Sequence, residues 1–141
     1  MSAGPMKIQV NWQEKRRFDG TNELGHHTAM DARTTAAGDA SAPTPKELVL
    51  HGLAGCTAMD VISILEKMRV PPKTLRVEVT AEQTDSHPKV FHKIHVRYVV
   101  TGDVPKDKLE RAIELSATQY CGVSAMLAKT ATVTHDFELT P

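Results

Sequence analysis

Ile8, Val10 and Trp12 alternate with Lys7, Gln9 and Asn11, the period-2 pattern of a half-buried strand. A polar turn at Asp19-Gly20 is expected to follow, closing a first hairpin, and Thr28 and Met30 belong to a further short strand. From Thr34 to Pro43 the chain is rich in Ala, Gly, Ser and Asp without periodicity, which reads as a loop. The strongest helix start lies at Thr44-Pro45-Lys46-Glu47, with Thr at the cap, Pro at the first helical position and Glu completing a capping box. A long helix from about Pro45 to Arg69 is predicted, stopped by Pro71 and Pro72. Its apolar residues cover much of the circumference between Leu48 and Leu65, so it must be buried on more than one side.

Two further runs alternate cleanly. Leu75, Val77, Val79 and Ala81 interleave with Arg76, Glu78, Thr80 and Glu82, while Ile94, Val96, Tyr98 and Val100 interleave with His95, Arg97 and Val99. Joined through Ser86-His87-Pro88, they predict an antiparallel pair with one face on the core. Pro105 opens a helix carrying Leu109, Ala112 and Ile113, Gly122 marks a break before a second helical segment, and Val133 to Leu139 forms a last strand. Strands, a long helix, two strands, a helix pair and a strand, linked by hairpins, predict an α+β fold with a largely antiparallel sheet covered by helices. One nearly all-round apolar helix is hard to bury within so short a chain, which predicts a homodimer completing its core across a two-fold interface.

The 141 residues, 40% apolar and 24% charged, suit a single domain over 1–141. Seventeen basic residues balance seventeen acidic ones, so no net field draws the molecule toward nucleic acid or an anionic membrane. The N-terminal residues lack a charged segment followed by a long apolar run, and no stretch has about 18 uninterrupted apolar residues. The expectation is a cytoplasmic protein with no nucleic-acid or membrane partner. Its two cysteines, 65 positions apart, would in a reducing compartment pair only transiently.

Cys56 stands in the predicted long helix among small residues, Gly52, Ala54, Gly55, Thr57 and Ala58, which leave room beside its sulfur. Cys121 lies near the start of a helical segment, where unpaired amides would lower a thiol pKa. Read locally, each is either a small core hydrophobe or half of a redox pair. Glu47 has a complete explanation as a capping-box residue, and Arg16 and Arg17 are candidates for orienting a thiolate or a peroxide, or else solvated hairpin charges. His92 and His95, three apart on a strand, point to opposite faces. With no Cys-x-x-Cys present, a structural zinc site is not expected.

The block Pro45-Lys46-Glu47-Leu48-Val49-Leu50 through Gly55-Cys56-Thr57-Ala58-Met59-Asp60-Val61, with Leu115-Ser116-Ala117 and Tyr120-Cys121-Gly122-Val123-Ser124 downstream, resembles the OsmC/Ohr superfamily, in particular its OsmC-like branch. The likeness runs over essentially the whole chain. It implies an intertwined α+β homodimer, antiparallel sheets wrapped around long central helices, and reduction of organic hydroperoxides. The cysteine matching Cys56 becomes a sulfenic acid, the one matching Cys121 resolves it, and a dithiol reduces the disulfide. No metal or flavin is implied. The family's catalytic Glu directly follows the helix-opening Pro. Lys46 stands there in this chain and Glu47 one residue on, a turn of about 100° around the helix. Arg17 is the nearest match to the family's hairpin arginine. A non-catalytic dimer that binds or senses a small apolar ligand is the alternative reading.

Overall fold

The computed structural model describes residues 4–141, and the chain forms two compact units, Met1–Val49 and Leu50–Pro141. The first unit is a three-stranded antiparallel meander of β1 (Ile8–Glu14), β2 (Arg17–Asn22) and β3 (His27–Met30), in that order. The first turn falls at Lys15-Arg16, not at Asp19-Gly20. Lys15 takes a left-handed φ of 45°, and the Trp12 indole N–H donates to its carbonyl over 3.0 Å. Gly20 is instead mid-strand, paired with both Val10 and Thr28. At the second turn the Asn22 side-chain oxygen accepts the backbone N–H groups of Leu24 and His26, and Gly25 supplies a φ of 84°.

The Thr34–Pro43 stretch is a loop, with one 3₁₀ turn at Thr34–Ala36, and it closes on Asp31. The buried Asp31 carboxylate accepts the Ala32 N–H, the Ser41 N–H and the Ser41 hydroxyl at 2.7, 3.1 and 2.6 Å. Gly38 crosses so close to Ala32 that a Cβ would meet the Ala32 carbonyl oxygen at 2.0 Å, so only glycine fits.

The helix α1 (Pro45–Lys67) starts as its capping box predicts: the Thr44 N–H donates to Glu47 Oε1 at 3.1 Å and the Glu47 N–H to Thr44 Oγ1 at 3.2 Å. It ends two residues before the expected Arg69. Arg69 adopts a left-handed φ of 63°, and the Val70 N–H reaches back to the Leu65 carbonyl over 2.9 Å, a Schellman closure ahead of the two prolines.

In the second unit, β4 (Thr74–Gln83), β5 (Phe91–Thr101) and β6 (Thr132–Thr140) form one sheet in that order. β4 and β5 pair antiparallel as expected, whereas β6 runs parallel to β5. The helices α2 (Lys106–Leu115) and α3 (Gly122–Leu127) lie in the connection from β5 to β6, giving the long crossover that a parallel neighbour requires. One face of β5 presents Ile94, Val96, Tyr98 and Val100, all buried, to a core shared with Leu53, Val61 and Leu65 of α1 and Leu109, Ala112 and Ile113 of α2. On the opposite face His95 and Arg97 meet Asp136 of β6 at 2.9 and 2.6 Å. Gly102 turns the chain out of β5 at φ 126°, where a Cβ would lie 2.6 Å from the Lys73 nitrogen.

Only Leu53, Thr57, Val61 and Leu65 of α1 are buried, a single stripe at four-residue spacing. Val49 and Met59 stay 42% and 75% exposed. By length and composition this helix is apolar enough to cross a membrane, with 22% of its most apolar stretch buried.

Candidate functional site

Cys56 and Asp60 stand one turn apart on α1, so their side chains share a face. Cys121 reaches them from a different element. After α2 the helix widens into a π turn, Ser116–Tyr120, closed by the Cys121 N–H donating to the Ser116 carbonyl at 2.8 Å. Cys121 itself is extended (φ −79°, ψ 98°) and caps α3, its sulfur accepting the Ser124 N–H at 3.3 Å where a Ser or Thr oxygen usually sits. The chain therefore breaks at Cys121, one residue before the Gly122 expected from sequence. Cys56 Sγ, Cys121 Sγ and an Asp60 carboxylate oxygen all lie within 4.8 Å of one another. Cys56 is half-buried, Cys121 is buried, and both are free thiols.

A line of hydroxyls holds Asp60. Ser116 Oγ donates to Asp60 Oδ2 at 2.9 Å, Thr57 Oγ1 lies 2.8 Å from Ser116 Oγ, and the Tyr98 hydroxyl lies 2.6 Å from Thr57 Oγ1. Each hydroxyl has one proton, so with that of Ser116 given to the carboxylate, Thr57 donates to Ser116 and Tyr98 donates to Thr57. Ser116 and Thr57 are buried, Tyr98 is 2% exposed, and the order Tyr98, Thr57, Ser116, Asp60 satisfies every member. Burial pushes the Tyr98 hydroxyl pKa up, which keeps it a donor.

The expectation that helix amides would lower the Cys121 pKa is overturned. Burial pushes the thiol up to about 11, the Ser124 N–H opposes this, and the neighbouring Cys56 and the Asp60 charge add to the rise. Cys121 thus stays a protonated thiol at neutral pH.

The other candidate catalytic residues, Arg16, Arg17 and Glu47, lie in the first unit. The Arg17 guanidinium donates to Gln13 Oε1 at 2.9 Å and to Ser41 Oγ at 2.7 Å. Arg16 donates to the Lys15 carbonyl. Glu47, besides capping α1, comes within 3.6 Å of Arg33. Sequence reasoning assigned no role to Arg33, Asp60, Ser116, Thr57 or Tyr98. The available clue was Asp60, a carboxylate four residues after a cysteine and the one charged side chain of α1 between Glu47 and Glu66.

The OsmC-like protein family model matches residues 38–136. The chain is 39% identical over 135 residues to protein YhfA of Escherichia coli K12, covering 95% of this chain and 98% of that protein. It superposes on the OsmC-like protein of Mycoplasma pneumoniae with a TM-score of 0.83 at 15% identity, over 99% of this chain and 100% of the other. The organic hydroperoxide resistance protein OsmC of Legionella pneumophila superposes with a TM-score of 0.76 at 12% identity, over 98% and 99% of the two chains. The α+β architecture is thus that of OsmC-like proteins, and this chain belongs to the OsmC-like family, within the OsmC/Ohr superfamily. Family membership together with the close cysteine pair supports a redox role.

Proposed function

We propose that the chain is one OsmC-like domain acting as a cytoplasmic, homodimeric thiol peroxidase that reduces organic hydroperoxides. The observation that carries this reading is the convergence of Cys56 and Cys121, within 4.8 Å of each other although 65 positions apart in sequence. Cys56, the less buried of the two cysteines, attacks the distal peroxide oxygen as its thiolate. The O–O bond breaks, the alkoxide takes a proton and leaves as the alcohol, and Cys56 becomes a sulfenic acid. Cys121 then condenses with it: an S–S bond forms, the Cys121 proton joins the departing hydroxide, and water is released. An external dithiol supplies two electrons and two protons to restore both thiols. Held as a thiol, Cys121 does not compete with Cys56 for peroxide, and it becomes nucleophilic toward the sulfenic acid only as its proton passes to the departing hydroxide. By resemblance, Arg17 and Glu47 contribute to peroxide activation.

Beside Asp60 lies an open hollow of about 350 Å³ lined by Ser63, Ile64, Lys67, Met68, Leu115 and Tyr120. Its size and apolar wall suit the organic part of a hydroperoxide. The same hollow favours the second reading, a non-catalytic dimer that binds a small apolar ligand. Dimerisation is supported by the family, whose members are commonly homodimers, and by the poorly covered apolar surface of α1.

Stopped-flow consumption of cumene hydroperoxide by fully reduced protein, with thiol state read by mass, tests the proposal. Rapid loss that requires Cys56 and ends in a Cys56–Cys121 disulfide is expected. Oxidation no faster than that of a free thiol would overturn it and leave the ligand-binding reading.

A further inference from the structure

We propose that the reduced protein binds one thiophilic divalent cation, with zinc the best fit, through Cys56 Sγ, Cys121 Sγ and a carboxylate oxygen of Asp60. Neither a histidine pair nor a Cys-x-x-Cys spacing marks this site in the sequence. Here the ligands are a Cys and an Asp at four-residue spacing on α1 and a third residue delivered by the fold. Tetrahedral zinc, with bonds of about 2.3 Å to sulfur and 2.0–2.2 Å to oxygen, places its ligand atoms about 3.3–3.8 Å apart. The three atoms already lie within 4.8 Å of one another, so side-chain rotation closes the remaining gap.

The outer shell is that of a built site. Metal-binding carboxylates are generally oriented by hydrogen bonds from outside the coordination sphere. Asp60 is held by Ser116, which is backed in turn by Thr57 and Tyr98. The Ser124 N–H fixes the Cys121 sulfur and helps to compensate the charge of a thiolate. Two thiolates select zinc or cadmium over magnesium or calcium, which favour all-oxygen shells. Three protein ligands leave the fourth position for water, and the half-buried Cys56 and Asp60 leave a way in.

Binding changes no oxidation state: the cation takes two thiolates and a carboxylate, and two protons leave for solvent. The disulfide and the metal therefore exclude each other, since both need the same two sulfurs. The cation would cap the reduced pair against oxidation. This inference needs only the reduced thiols and stands independently of the peroxidase reading.

The test is titration of the reduced full-length protein with Zn²⁺ against a chelating dye, repeated with Cd²⁺ while following thiolate-to-metal charge-transfer absorption, with no peroxide present. One ion per chain is expected, together with the charge-transfer band. Both should be lost in Cys56→Ser, in Cys121→Ser and in the protein oxidised to the disulfide. Losing even an outer-shell partner costs about 10–100-fold in affinity, so Asp60→Asn should weaken binding at least about tenfold while circular dichroism shows it folded. Absence of the band, a stoichiometry unchanged in Cys121→Ser, or equal affinity in Asp60→Asn would overturn the site. A protein without peroxidase activity passes or fails on the same terms.

Discussion

The Ser116 hydroxyl donates to Asp60 over 2.9 Å from a residue 56 positions away, and it gains its own donor from Thr57. That middle link is the vulnerable one. Thr57→Val keeps the volume and removes the hydroxyl, leaving the Tyr98 proton without its acceptor and Ser116 without its donor. A loss of roughly 1–3 kcal/mol is expected from stranding buried polar groups. Urea unfolding checks this: the midpoint should fall while the slope stays constant.

Cys121 should be the slow thiol. With its pKa raised from 9.0 to about 11, chiefly by burial, its thiolate fraction at pH 8 is about 100-fold below that of an ordinary cysteine. Alkylation of the reduced wild-type protein by iodoacetamide, followed through the mass of the Cys121 peptide, should therefore be slow at pH 8 and rise about tenfold per pH unit toward pH 11. The sign for stability follows: the folded state holds this proton more tightly than the unfolded chain, so stability should fall as pH rises from 9 toward 11.

Asp31 carries the opposite sign. Hydrogen bonds from Ser41 and Ala32 lower its pKa from 3.8 to about 2, so its contribution is present above pH 3.8 and is lost as pH falls toward 2. Asp31→Asn should melt below the wild type at pH 7, and the gap should close as the pH approaches 2. Thermal melts across that range decide it.

The exposed apolar positions of α1 predict that a second copy covers this helix. Met59 is 75% exposed on an apolar element, so Met59→Lys should shift the sedimenting species from dimer to monomer while the far-ultraviolet spectrum is retained. A monomeric wild-type protein would remove the dimer from the proposal.

Much of the architecture was legible in the sequence because it is locally encoded. The Thr44–Glu47 box starts α1, Pro71 and Pro72 bound it, and the period-2 runs of β4 and β5 place Ile94, Val96, Tyr98 and Val100 together in the core. Glycine misled at Gly20, because a residue that permits turns also permits close strand pairing, and the turn went to the left-handed Lys15. The site lay beyond such reasoning. Periodicity placed Cys56 in a helix and Cys121 near another, but their approach depends on the π turn after α2 and on a parallel crossover that spacing does not encode. Local pattern thus sets the elements, their apolar faces and the two sulfurs available. The resemblance implied that Cys56 and Cys121 pair, but Asp60 beside them, the buried hydroxyls that hold its carboxylate, and the burial that outweighs the helix amides at Cys121 come from the folded arrangement. Solvation and proximity are properties of packing between distant segments, not of neighbours along the chain.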